Sequence, residues 1–92
     1  KKTLSGWNHF IIKKDFPKSK AKLLDTMLNY GLSGLDVIKQ FHKEVWSMNI
    51  PDLKKLEMVK ECAEAEFRMV EGSDEFIQLE ALVAKCILIM DK

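Results

Sequence analysis

The sequence is poor in the residues from which catalytic and metal sites are usually built. It has two histidines, two cysteines and four glycines among 92 residues. No glycine is followed by the Lys-Ser or Lys-Thr pair of a phosphate-binding loop, so nucleotide binding by this chain is not expected. The cysteines form no Cys-x-x-Cys pair, and neither histidine stands at a metal-ligand spacing from them. We therefore expect no catalytic residue, cofactor or metal in this chain.

The sequence also lacks long apolar runs and extended alternation of apolar and polar residues. The apolar run from Cys86 to Met90 is far shorter than the roughly 20 residues that cross a bilayer, so no membrane partner is expected. Without alternation, no sheet is predicted. Cys62 and Cys86 stand at apolar helical positions, which is typical of reduced core thiols in an intracellular protein. The chain is predicted to be all-α, a small bundle forming a single domain over residues 1–92.

Local signals predict where the helices begin and end. Pro17 suits the first turn of a helix that Gly31 ends. Ser33 and Asp36 have the spacing of a capping box at the start of the next helix. Gly72 is expected to end a helix from about Pro51 to Glu71. That third helix is predicted to bury one apolar stripe, formed by Leu56, Val59, Ala63, Phe67 and Val70.

The last predicted helix is apolar around most of its circumference. Between Phe76 and Met90 only Glu80 and Lys85 carry charge. Such a helix is buried on more than one side. Either it is the central helix of the bundle, or part of it docks on another chain. The residues that we predict for a subunit interface are Phe76, Leu79, Leu82, Val83 and Ile87.

Charge is distributed unevenly along the chain. Residues 1–30 contain seven lysines and two aspartates, whereas residues 31–92 contain more acidic than basic residues. The basic half is either an ordinary solvated surface or a surface for nucleic acid phosphates or an acidic partner.

Several short segments together resemble the C-terminal domain of replication factor C small subunits, the clamp-loader proteins of DNA replication. The resemblance extends from about Phe16 to Met90, and Leu53-Lys-Lys-Leu-Glu57 is most similar to the subunit 2 type. Residues 1–15 do not match the usual start of the family's domain. The segments that carry the resemblance are Tyr30-Gly-Leu-Ser-Gly34, Asp36-Val-Ile38, Gln40-Phe-His42, Ile50-Pro51, Glu66-Phe-Arg-Met-Val-Glu-Gly72 and Ile77-Gln-Leu-Glu-Ala-Leu82.

The resemblance implies a collar domain of about five helices that joins five subunits into a ring. It implies that ATP and Mg²⁺ are bound by AAA+ domains that this sequence does not contain, so the chain itself would not be an enzyme. The expected partners are other replication factor C subunits and, through the whole complex, the sliding clamp and primer-template DNA, in the nucleus. The alternative function is a helical nucleic-acid-binding module that uses the basic N-terminal half.

Overall fold

The computed structural model describes residues 10–92, and the predicted all-α fold is confirmed. Residues 10–12 are helical, and no strand occurs between residues 10 and 92. Of the predicted lead-in segment 1–15, residues 1–9 lie outside the described residues. Four further helices follow in chain order: α1 (Phe16–Tyr30), α2 (Gly34–Val45), α3 (Asp52–Val70) and α4 (Glu75–Asp91).

Helices α1, α2 and α4 begin at side chains that accept hydrogen bonds from the first free backbone amides, whereas α3 begins at Pro51 without such a bond. Asp15 accepts from the Lys18 amide, and Asp74 accepts from the Ile77 amide at 3.0 Å. The predicted capping box of α2 is confirmed: the Ser33 hydroxyl accepts from the Asp36 amide, and the Asp36 carboxylate accepts from the Ser33 amide. The hydrogen bond that the Ser33 amide donates to the carboxylate is the main cause that lowers the pKa of Asp36. Local sequence therefore sets these helix starts.

Two glycines end helices, as predicted. Gly31 follows α1 with φ +63°, and its amide donates to the Met27 carbonyl. Gly72 follows α3 with φ +103°, again in the region that favours a residue without Cβ. The chain turns sharply after each of these helices, which brings the next helix back against the bundle.

Helix α4 is the central element of the bundle. It packs most extensively against α3 and also contacts α1 and α2. This arrangement explains why α4 is apolar around most of its circumference, since three helices cover it. Ile11 also joins the core with no exposed surface. The buried apolar residues are Ile11, Leu23, Met27, Val37, Ile38, Phe41, Val45, Met48, Met58, Cys62, Ala65, Met69, Leu79, Leu82, Val83, Cys86 and Ile89.

The prediction of which apolar stripe of α3 is buried is wrong. Leu56, Phe67 and Val70 are each more than half exposed. The side of α3 that faces the core carries Met58, Cys62, Ala65 and Met69 instead. These four residues also recur at steps of four and three, so α3 has two apolar stripes. Packing against α2 and α4 buries the stripe of smaller and more flexible side chains.

A close contact joins the N-terminal ends of α2 and α4. The Gly34 amide donates to Oε1 of Glu75 at 2.5 Å. A Cβ atom at Gly34 would lie 2.8 Å from that oxygen and 3.0 Å from Sδ of Met69. The close approach of α4 therefore leaves little room for a side chain at this position, and a Cβ atom here would displace the Glu75 carboxylate.

We expect Gly34→Ala to lower the free energy of unfolding by about 1–3 kcal/mol, because the added methyl group displaces the Glu75 carboxylate and leaves the Gly34 amide unsatisfied. Chemical denaturation measures this loss. The matched background is Glu75→Ala, in which the carboxylate is already absent. In the Glu75→Ala background, Gly34→Ala should lower the free energy of unfolding by a clearly smaller amount. An equal cost in both backgrounds would contradict the role of Glu75.

Candidate subunit interface

The five residues predicted for an interface separate into two groups. Leu79, Leu82 and Val83 have almost no exposed surface and belong to the domain's own core. Ile87 is partly buried against that core. Phe76 is half exposed near the beginning of α4. Of the five, Phe76 therefore offers the most surface to a partner, and the interface itself stays a prediction.

An exposed apolar surface lies on α3, on the side of that helix turned away from the core. We call the residues Leu53, Leu56, Phe67 and Val70 the α3 outer face. Each of them is more than half exposed. They lie in two pairs over 18 helical residues, or about 25 Å at the usual rise per residue, with the exposed residues Lys60 and Ala63 between the pairs. Extended apolar surface of this kind marks interaction sites more often than isolated exposed residues do.

A second apolar surface lies where α1 packs against α4. We call the residues Leu24, Leu28 and Phe76 the α1–α4 face. Leu24 and Phe76 line a hollow of about 200 Å³, whose rim includes Lys20 and Glu80. Leu28 lies one helical turn beyond Leu24 and is 74% exposed. This surface contains a hollow, whereas the α3 outer face lies along the exposed side of a single helix.

Ion pairs hold both helices against α4. Between α3 and α4, Lys85 lies 3.2 Å from Glu61, and Lys92 lies 2.7 Å from Glu57. Between α1 and α4, Lys20 pairs with the carboxylate of Glu80. Such exposed pairs contribute little stability individually. They do show that charged residues on the flanks of α3 and α1 face α4.

A shallow cleft between α2 and α3 brings a thiol, an imidazole and a carboxylate together. Cys62, His42 and Glu66 are among its lining residues, and its volume is about 100 Å³. Burial, together with the nearby Glu61 and Glu66 carboxylates, raises the pKa of Cys62 to about 12. A thiol with this pKa stays protonated near neutral pH and is a poor nucleophile. The cleft is therefore not suited to thiol catalysis.

Other kinds of site receive no support between residues 10 and 92. No group of three or more His, Cys, Asp or Glu side chains in this part of the chain could hold a metal ion. None of its helices is both long enough and apolar enough to span a membrane. Both cysteines are buried and free of disulfide bonds. The two apolar faces remain as the main candidates for function.

Comparison with known proteins identifies the family. The model of the replication factor C C-terminal domain matches residues 8–85. The chain belongs to this family. The replication factor C small subunit of Thermococcus kodakarensis is 49% identical over 71 residues, which is 77% of this chain and 8% of the relative. The small subunits of Sulfurisphaera tokodaii and Sulfolobus acidocaldarius are 46% and 43% identical over 85% and 91% of this chain.

The chain spans only a small part of these relatives. It covers 24% of the length of the Sulfurisphaera tokodaii protein and 26% of the Sulfolobus acidocaldarius protein. The predicted resemblance to replication factor C small subunits is thus confirmed at the level of this domain. Assignment to the subunit 2 type stays a prediction.

Sequence reasoning missed the α3 outer face because it assigned Leu56, Phe67 and Val70 to the core. One signal was available: Met58, Cys62, Ala65 and Met69 form a second apolar stripe on the same helix. A helix with two apolar stripes in a small domain has one stripe more than a single contact with the core requires. The pattern indicates that one stripe is exposed, but not which one.

Proposed function

We propose that this domain holds the subunits of a replication clamp loader together. The observation that carries the proposal is the α3 outer face, an extended apolar surface on a domain whose core is already filled by its own helices. Membership of the replication factor C C-terminal domain family supports it. The clamp and primer-template DNA would then be partners of the whole assembly, while ATP and Mg²⁺ would be bound elsewhere in it. The nuclear location and the absence of enzymatic activity in this domain stay predictions.

Affinity capture tests the proposal directly. The tagged chain is expressed in its source cells, and the proteins that remain bound after a moderate salt wash are identified by mass spectrometry. We expect other replication factor C subunits to be retained. The control is the same chain with Leu56→Lys and Phe67→Glu, exposed changes that leave the core intact and should reduce recovery. Recovery of unrelated proteins in place of clamp-loader subunits would contradict the proposal.

The alternative, nucleic acid binding through the basic N-terminal half, has less support. Several of its lysines already face carboxylates: Lys20 pairs with Glu80, and Lys14 lies 3.1 Å from Asp91. These pairs reduce the positive field available to phosphates. Binding driven by phosphates would weaken steeply as salt concentration rises. DNA titrations of the isolated chain at two salt concentrations therefore distinguish the two functions.

A further inference from the structure

The exposed side of α2 carries cationic and aromatic side chains instead of an apolar face. We call Lys39, His42, Lys43 and Trp46 the α2 basic stripe. They recur at steps of three and four residues, and Trp46 continues the helical backbone with φ −67° and ψ −20°. All four are exposed, and the apolar residues that α2 buries lie on its opposite side. The stripe shares no residue with the two apolar faces, so a partner that covers those faces does not by itself occupy it.

The two lysines of the stripe are available to bind an anion. In the described part of the chain, neither Lys39 nor Lys43 takes part in an ion pair. The Asp36 carboxylate lies near Lys39, but it already accepts a hydrogen bond from the Ser33 amide. The stripe therefore presents positive charge without an ion-pair partner, and such charge attracts phosphate groups.

Trp46 adds a flat aromatic ring beside these lysines. Its side chain is 50% exposed, and no other large apolar residue between residues 34 and 50 is exposed. The Lys55 amine donates to the Trp46 carbonyl at 3.1 Å, so the main chain that carries the indole is held in place before any ligand binds. Proteins bind single-stranded nucleic acid by combining positive charge for the backbone with aromatic rings on which bases stack. The α2 basic stripe has both components.

We propose that the α2 basic stripe binds single-stranded nucleic acid, with a base stacked on Trp46 and phosphates bound by Lys39 and Lys43. The stripe is about 10 Å long at the usual helical rise, which leaves room for only a few nucleotides. Binding is therefore weak and independent of sequence, with a dissociation constant of about 1–100 µM near physiological salt. An acidic peptide fits less well, because the stripe offers it a single apolar side chain as an anchor. The proposal does not depend on the assembly role, and its lysines lie outside the basic N-terminal half.

The test separates the contribution of charge from that of stacking. Fluorescence anisotropy follows binding of a labelled oligothymidylate of about 15 nucleotides to this chain at several salt concentrations. Lys39→Gln combined with Lys43→Gln should weaken binding and reduce the slope of log affinity against log salt by about 1.4, or about 0.7 per phosphate contact. Trp46→Leu should weaken binding at least about fivefold at every salt concentration and leave the slope unchanged. All three residues are exposed, so folding should be retained, as circular dichroism will verify.

Matched variants make the same kinds of change elsewhere on the surface. Lys13→Gln combined with Lys22→Gln removes two lysines from the basic N-terminal half, and Tyr30→Leu removes an exposed ring at the end of α1. Both variants should bind the oligonucleotide as tightly as the unsubstituted chain does. Glu66→Gln should bind it more tightly, because Glu66 lines the same cleft as Lys39 and its charge repels phosphate.

Four results would overturn the proposal. The oligonucleotide could fail to bind even at low salt, or Trp46→Leu could bind it as tightly as the unsubstituted chain, which would exclude stacking. The variant without Lys13 and Lys22 could lose as much affinity as the variant without Lys39 and Lys43, which would place the site on the N-terminal half. Polyglutamate at equal charge could displace the label as well as unlabelled oligothymidylate does, which would indicate an acidic protein as the ligand. Recovery of clamp-loader subunits in the capture experiment is independent of all four.

Discussion

Leu79→Asp will unfold the domain, whereas Leu88→Asp on the same helix will leave its stability almost unchanged. Leu79 has no exposed surface, and Leu88 is 65% exposed. Replacing a buried leucine loses the transfer energy of its side chain and opens a cavity, which costs about 2–5 kcal/mol for leucine to alanine. A buried carboxylate with no partner adds a desolvation cost to this loss.

The expected loss is comparable with the whole stability of a small domain, which is about 5–15 kcal/mol. Far-ultraviolet circular dichroism during urea unfolding measures both variants under the same conditions. Leu79→Asp should show little or no cooperative transition. Leu88→Asp should unfold within about 0.5 kcal/mol of the unsubstituted chain. Similar midpoints for the two variants would mean that α4 is not the central helix of the bundle.

Alkaline conditions will destabilise the domain through its two buried thiols. Burial raises the pKa of Cys62 to about 12, and that of Cys86 still further, from the value of 9.0 expected for an exposed thiol. Above pH 9.0 the unfolded chain releases these protons while the folded chain retains them. The protonated thiols therefore contribute their full stabilisation below pH 9.0. This stabilisation is lost as the pH rises toward the pKa values of the two thiols in the folded chain.

Each thiol can lower the free energy of unfolding by as much as about 1.4 kcal/mol per pH unit in this range. By about pH 11 the two together would remove roughly 5 kcal/mol. Urea unfolding at several pH values between about 8 and 11 measures the slope. Lysines also titrate there, so Cys62→Ala and Cys86→Ala provide the comparison. Each variant should show a shallower slope, and identical slopes would refute the role of the thiols.

Helix ends could be predicted from sequence because their chemistry is local. The Ser33 and Asp36 side chains bond to backbone amides three residues apart, and Gly31 adopts the left-handed conformation that a side chain disfavours. None of these interactions depends on how the helices pack. The same signals can be recognised in an isolated segment, and the structure confirms them at the ends of α1 and α3 and at the start of α2.

The assignment of faces could not be predicted in the same way. Both stripes of α3 have helical spacing. Whether Met58 or Phe67 is buried depends on which side of α3 packs against α2 and α4. Likewise, the apolar circumference of α4 indicated burial on several sides but did not separate Leu79, which is core, from Phe76, which is half exposed. Such distinctions arise from contacts between residues far apart in sequence.

The central position of α4 also has a consequence for the synthesis of the protein. Domains fold as units while the ribosome adds about 5–20 residues per second. Here the helix that α1, α2 and α3 all contact is translated after them. The three earlier helices therefore leave the ribosome before the surface that buries them exists. Until α4 follows, their apolar sides must be shielded by one another or by chaperones.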